Sequence, residues 1–373
     1  MKRTLSSYIE NRNNNFNLIR FIAATLVLVS HCYPLYFGSS ASEPLKELVG
    51  ISLGWVAVDL FFISSGFLIA GSLFNRKTLS DFVKSRVLRI YPGLAISLFL
   101  TVFLLGPYFT TLPLLSYFTS PETYKFLLLN VTLFFGEEAN LPGVFAALPL
   151  AHTVNGSLWT LPFEVRAYTL LVITGLSLTF LEKKWTVFGS KWFYLIIAAF
   201  GMSLYLFNYF NEILPISYFG AEYARLITMF FVGVAYYKYK DFIVLSSSAF
   251  YWLVILLIIS SVNHNWFFVV YNLSLSYLLF YLAYVPKGFI RKFNTYGDYS
   301  YGIYIYAFPI QQAILALSSN ISLLAFFLTS LFITFVFAFF SWQFVEKPAL
   351  QLKNKTIMVK AGVKSILTKE IIN

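Results

Sequence analysis

Arg20 and His31 stand eleven residues apart within an otherwise apolar stretch. At about 100° per residue, a helix turns roughly 1100° over that spacing, about 20° past three full turns. Both side chains therefore leave one face, roughly 16 Å apart along the axis. The pair has chemical use. A guanidinium's planar fork suits phosphate, and an imidazole can accept and return a proton near neutral pH. Two carboxylates, Asp59 and Glu164, interrupt later apolar stretches, and Arg166 follows Glu164 closely. A carboxylate facing an imidazole fixes its tautomer and stabilises the imidazolium, which a general base needs. Arg86 and Arg89 are three apart, on one side of a helix, and Tyr91-Pro92 follows at once. Each residue alone also has a plainer reading. An arginine near a membrane boundary can snorkel to lipid phosphates. Asp59 can cap its helix, and Glu164 can pair with Arg166 or Arg225. The shared face of Arg20 and His31 favours function.

The composition says what must position these residues. Of 373 residues, 58% are apolar, 20% aromatic and only 12% charged, against about 25% charged in soluble domains. With a mean hydropathy of +0.72, this excludes a soluble globular enzyme, and disorder or a fibrous repeat equally. The single Cys32 excludes an internal disulfide and a cysteine-based zinc site. No metal-ligand cluster is visible, so the expectation is no metal. Ionisable groups within membrane helices are functional candidates by default.

Ten segments have roughly the 20 apolar residues that a membrane helix needs: 16–36, 54–75, 88–106, 160–181, 192–210, 223–239, 246–262, 266–285, 299–318 and 321–345. The fold expected is all-α, a polytopic membrane protein of about ten helices. It comprises a transmembrane domain over 1–345 and a basic tail over 346–373. The first apolar run is too long, and lacks a small-x-small site, to be a cleaved signal peptide. Residues 123–135 are apolar but too short to span, so they read as re-entrant or interfacial. They lie in the longest loop, 107–159, and loops beyond about 15 residues are usually functional or disordered.

With the N-terminus inside, 22 of the 27 Lys and Arg fall in inner segments and two, Lys46 and Lys125, in outer loops. That asymmetry places both termini in the cytoplasm. The net charge of +11 is thus mainly a topology signal and a poor argument for nucleic acid. On this frame Arg20, Arg86 and Arg89 lie at the inner mouth. His31, Asp59 and Glu164 are expected to share one layer of the outer leaflet. Cys32 reads as packing, and His152 and His264 as solvated loop residues.

These residues give the chain a resemblance to the acyltransferase-3 family of membrane O-acyltransferases, over about residues 14–350. Arg20 to His31 is similar to the family's Arg-x10-His. Asp59-Leu-Phe-Phe-Ile-Ser-Ser-Gly-Phe67 resembles its Phe-Phe-x-x-Ser-Gly-Phe stretch, and Arg86-Val-Leu-Arg89 its Arg-x-x-Arg. Asn155 to Glu164 and Phe344-Val-Glu346-Lys-Pro348 look like its later signatures. One departure is that no His follows the Ser300-Tyr301-Gly-Ile-Tyr304 stretch. There is also no appended extracytoplasmic hydrolase-like domain.

The resemblance implies transfer of an acyl group, usually acetyl, from cytosolic acyl-CoA to a hydroxyl of an extracytoplasmic glycan or lipid-linked saccharide. It implies an integral protein of the bacterial cytoplasmic membrane, with the lipid bilayer, acyl-CoA and a saccharide acceptor as partners. Arg20, Arg86 and Arg89 would hold the donor's phosphates. His31 would act as general base or acyl carrier, oriented by Glu164 or Asp59. A transporter or flippase for an anionic solute is the competing reading, since buried Arg and carboxylates suit it too. Such proteins often show internal repeats, and none is visible here.

Overall fold

The computed structural model describes residues 3–9, 13–75, 78–184, 190–211 and 218–352. Each of the ten apolar segments is a helix: α1 (Phe16–Phe37), α2 (Leu53–Phe74), α3 (Leu79–Leu100), α5 (Thr160–Lys184), α6 (Ser190–Asn211), α7 (Tyr218–Lys238), α8 (Ser247–Ser260), α9 (His264–Tyr284), α10 (Ser300–Leu317) and α11 (Leu323–Ser341), with a shorter α4 (Pro121–Thr132) between α3 and α5. Among the described residues there are only isolated β-bridges and no strands. The protein is all-α and polytopic.

Seven helices are long and apolar enough to cross a membrane on their own. The other three differ for visible reasons. α8 has 14 residues. α7 carries Glu222 and Arg225, and α10 carries three tyrosines and two glutamines. Helices packed on all sides by protein need not be as apolar as those facing lipid, provided that their polar groups find partners. On α10, Gln311 donates to Leu28 O at 2.9 Å, and Gln312 donates to Leu150 O at 2.9 Å and Thr153 O at 2.8 Å. α2 runs through the centre, against α1 on one side and α7 on the other. Its Gly66 leaves room for the Phe230 carbonyl, and Gly233 of α7 leaves room for the Ile63 carbonyl. A side chain at either would force the helices apart.

The stretch 123–135 falls largely within α4, whose 12 residues are too few to span. α4 lies along α3, where the Tyr91 hydroxyl donates to Thr132 O at 3.4 Å. Just beyond, the Arg166 guanidinium of α5 donates to Phe134 O at 2.9 Å. The long loop then packs inside the bundle. Asn155 donates to Ile305 O of α10 at 2.9 Å, and its Oδ1 accepts from Ser157 N at 3.2 Å, which starts α5. α5 thus begins level with the middle of α10, not at the membrane surface. π-helical turns extend α3 over Thr101–Leu105 and α11 over Trp342–Glu346. Helix continues from there to Leu352. The rest of the basic tail, 353–373, lies outside the described residues.

Candidate active site

Two adjoining cavities share Arg20, Ser65 and Glu164. The lower one is also lined by Arg86, Arg89 and Tyr168. The upper one runs on between α1, α2, α5 and α10, past Phe61, Thr160 and Tyr304. These polar groups come from five helices, α1, α2, α3, α5 and α10, so the chamber exists only in the folded bundle.

The three arginines expected at the inner mouth do come together here, but their surroundings differ. The Arg20 guanidinium carbon lies 5.5 Å from the Phe61 ring centroid, and its Nε is enclosed without a hydrogen-bond partner. Arg86 turns its Nε towards Ser85 Oγ at 3.3 Å. Arg89 is engaged by protein carboxylates. It donates to Asp298 through a short hydrogen bond and faces Glu346 Oε2 at 3.9 Å. Burial pushes the Asp298 carboxyl up, but Arg89 and then Arg20 outweigh it and hold the group below the usual carboxylate range.

The expected outer layer of His31, Asp59 and Glu164 is not assembled. Glu164 sits in the arginine chamber and accepts from the Tyr168 hydroxyl and, at 3.3 Å, from Ser65 Oγ. It lies deeper than its place in the sequence implies, because α5 starts within the bundle against α10, below a loop that is folded inside. Arg166 anchors the end of α4 at Phe134 instead of pairing with Glu164.

Asp59 is fully buried on α2. It accepts from Arg225 at 2.5 Å and from Tyr271 at 2.9 Å. Arg225 also donates to Glu222 at 2.5 Å and lies 4.0 Å from the Trp55 ring centroid. Asp59 thus joins α2, α7 and α9 through a satisfied ion cluster, and its hydrogen bonds go there and not to the imidazole. His31 packs edge-on against Phe308 of α10, with ring centroids 5.1 Å apart, and its Nδ1 is enclosed without a hydrogen-bond partner.

Several groups around the site were not singled out from the sequence. Tyr168 lines the chamber, Asp298 holds its Arg89, and Glu346 has no role in the sequence reading beyond its motif. Glu43 is buried, although it sits in the connection between α1 and α2. It accepts from Ser30 Oγ at 2.8 Å, beside His31, and from the Leu53 backbone N–H at the start of α2. A signal existed for Asp298. An Asp two residues before the serine that starts a helix is an Asx-turn pattern, and the Ser300 N–H and hydroxyl both donate to it, at 3.3 and 2.5 Å.

The acyltransferase domain that defines the acyltransferase-3 family matches residues 13–343. The chain belongs to that family. It is 29% identical over 352 residues to the O-acetyl transferase of Shigella phage Sf6, covering 90% of this chain and 96% of that protein. It is also 32% identical over 96 residues to nodulation protein 10 of Rhizobium leguminosarum bv. viciae, a quarter of each chain. No solved structure matches. This acyltransferase-3 protein is therefore a membrane acyltransferase, and its motif residues Arg20, Arg86, Arg89 and Glu164 line one chamber.

Proposed function

We propose that this acyltransferase moves an acetyl group from cytosolic acetyl-CoA to a hydroxyl of an extracytoplasmic saccharide, within a bacterial cytoplasmic membrane. The observation that carries this reading is the arginine-lined chamber at the inner end of α1, with His31 roughly 16 Å farther along the same helix. The name of the Shigella phage relative supports acetyl as the group and oxygen as the acceptor atom.

The donor's phosphates meet guanidinium groups in the lower cavity, where planar donor forks match phosphate oxygens. The pantetheine arm follows the upper cavity past Glu164, Thr160 and Tyr304 towards His31. Glu164 is suited to accept a hydrogen bond from an amide N–H of that arm. The imidazole takes the proton of the acceptor hydroxyl as its oxygen attacks the thioester carbonyl. A C–O bond forms and the C–S bond breaks. The CoA thiolate then leaves and takes up the proton.

Replacing Arg86 by lysine keeps the charge and removes the fork. A hydrogen bond to a charged group contributes about 1.5–3 kcal/mol, so the KM for acetyl-CoA should rise roughly 10- to 150-fold with little change in the acceptor's KM. Steady-state kinetics with purified protein checks this, and an unchanged donor KM contradicts the donor site.

The orientation rests on the count of basic residues by side. Reporter fusions after Ser80 should read cytoplasmic, and fusions after Ser42 and Ser120 external. A cytoplasmic signal at Ser120 contradicts the ten-span topology.

A further inference from the structure

We infer that the two arginines of the Arg86-x-x-Arg89 pair do different work: Arg86, with Arg20, meets the donor's phosphates, while Arg89 is a positioning residue clamped by Asp298 and Glu346. The inference rests on the donor-site reading above and divides its labour.

Arg89 lies between two acids from two other elements. Asp298 takes a hydrogen bond from one terminal nitrogen, and Glu346 stands opposite the other at 3.9 Å. Both acids are held from behind. Ser300 donates to Asp298 through its N–H and its hydroxyl, and Ser341 Oγ donates to Glu346 Oε1 at 2.9 Å. The Glu346 side chain is 1% exposed, and its Oε2 has no hydrogen-bond partner and is turned to Arg89. Two carboxylates against one guanidinium make a poor place for a further anion. A phosphate arriving at Arg89 would have to displace Asp298 or sit beside Glu346.

The backbone is shaped for this clamp. The π-helical turn over Trp342–Glu346 interrupts the regular rise of α11 where Glu346 turns inward, and such turns are frequent at functional sites. One turn beyond Arg89, Gly93 gives α3 close approach to the same elements. A Cβ there would stand 3.0 Å from Tyr301 Cε1 and 3.4 Å from Glu346 Cγ. Tyr301 in turn donates to Ile90 O of α3 at 2.8 Å. The clamp thus fixes the middle of α3 against α10 and the end of α11. That sets the direction in which Arg86, one turn earlier, enters the chamber beside Arg20. It also gives a purpose to the Phe344-Val-Glu346-Lys-Pro348 motif.

The test uses the purified full-length protein and acetyl-CoA, with Arg89→Gln, Asp298→Asn, the double variant, Arg89→Lys and Arg86→Lys. Kinetics and thermal midpoint are read on each. If Arg89 is clamped, Arg89→Gln and Asp298→Asn each raise the acetyl-CoA KM more than the acceptor KM. The double variant is then no worse than the poorer single one, a non-additivity of at least about twofold for residues in contact. Arg89→Lys retains a cation for Asp298 and is milder than Arg86→Lys.

If Arg89 instead holds phosphate, freeing it by Asp298→Asn lowers the acetyl-CoA KM, the two substitutions act independently, and Arg89→Lys is as severe as Arg86→Lys. Any of these overturns the inference. So does coupling in the thermal midpoint with an unaltered donor KM, which makes the clamp purely architectural. An unchanged donor KM in Arg86→Lys is a different failure. It removes the donor-site reading, and Arg89–Asp298 coupling is still measurable in the midpoint.

Discussion

His31→Ala is expected to abolish acetyl transfer while leaving the protein inserted and folded. The imidazole is the one strong proton acceptor that α1 carries above the arginine chamber, on the face it shares with Arg20. Its ring packs edge-on against Phe308, and its Nδ1 has no hydrogen-bond partner among the described residues. Removing it therefore breaks no network on which folding depends. Loss of a positioned general base lowers rates by about 10²–10⁴. The measurement is O-acetyl on the extracytoplasmic saccharide at matched amounts of membrane protein. Near-normal acetylation by the variant would remove His31 from the chemistry.

Arg225→Ala should have the opposite profile, a loss of stability. It leaves Asp59 and Glu222, which are almost wholly buried, without their shared cation. Breaking a buried pair from one side typically destabilises by about 3–5 kcal/mol, because a charge stays behind with no counterion. Asp59→Ala should be milder, since Arg225 retains Glu222 and the face of Trp55. The expected result is a low yield of Arg225→Ala in detergent and a thermal midpoint well below those of wild type and His31→Ala. A variant that accumulates normally, melts with the wild type and fails only in transfer would place the cluster in catalysis instead.

The contrast between these residues marks how far the sequence could be read. Every spanning segment is a helix at the expected place, since about 20 apolar residues leave a backbone in lipid little other choice. Arg20, Arg86 and Arg89 meet as expected, although α3 begins nine residues earlier than its apolar stretch, at Leu79, so that Arg89 stands at the middle of the helix and not at its end. Glu164 did not follow. Its depth depends on a loop that folds inside the bundle, and hydropathy says nothing of where such a loop goes. Asp59 and Arg225 are 166 residues apart. Each is an intramembrane charge with a functional alternative until the fold joins them. Arg89 and Asp298 are likewise joined only by the packing of α3 against α10, and a sequence motif does not show which of its arginines two carboxylates hold.

The central claim is that the acyl group enters from the cytosolic chamber and leaves towards the other side. Sealed membrane vesicles of either orientation, carrying the protein and saccharide acceptor, test it with acetyl-labelled acetyl-CoA added only outside the vesicle. Rapid CoA release and labelled saccharide are expected in inside-out vesicles, where the arginine chamber faces the added donor, and neither in right-side-out vesicles. Equal consumption in both orientations, or none in either, would contradict it.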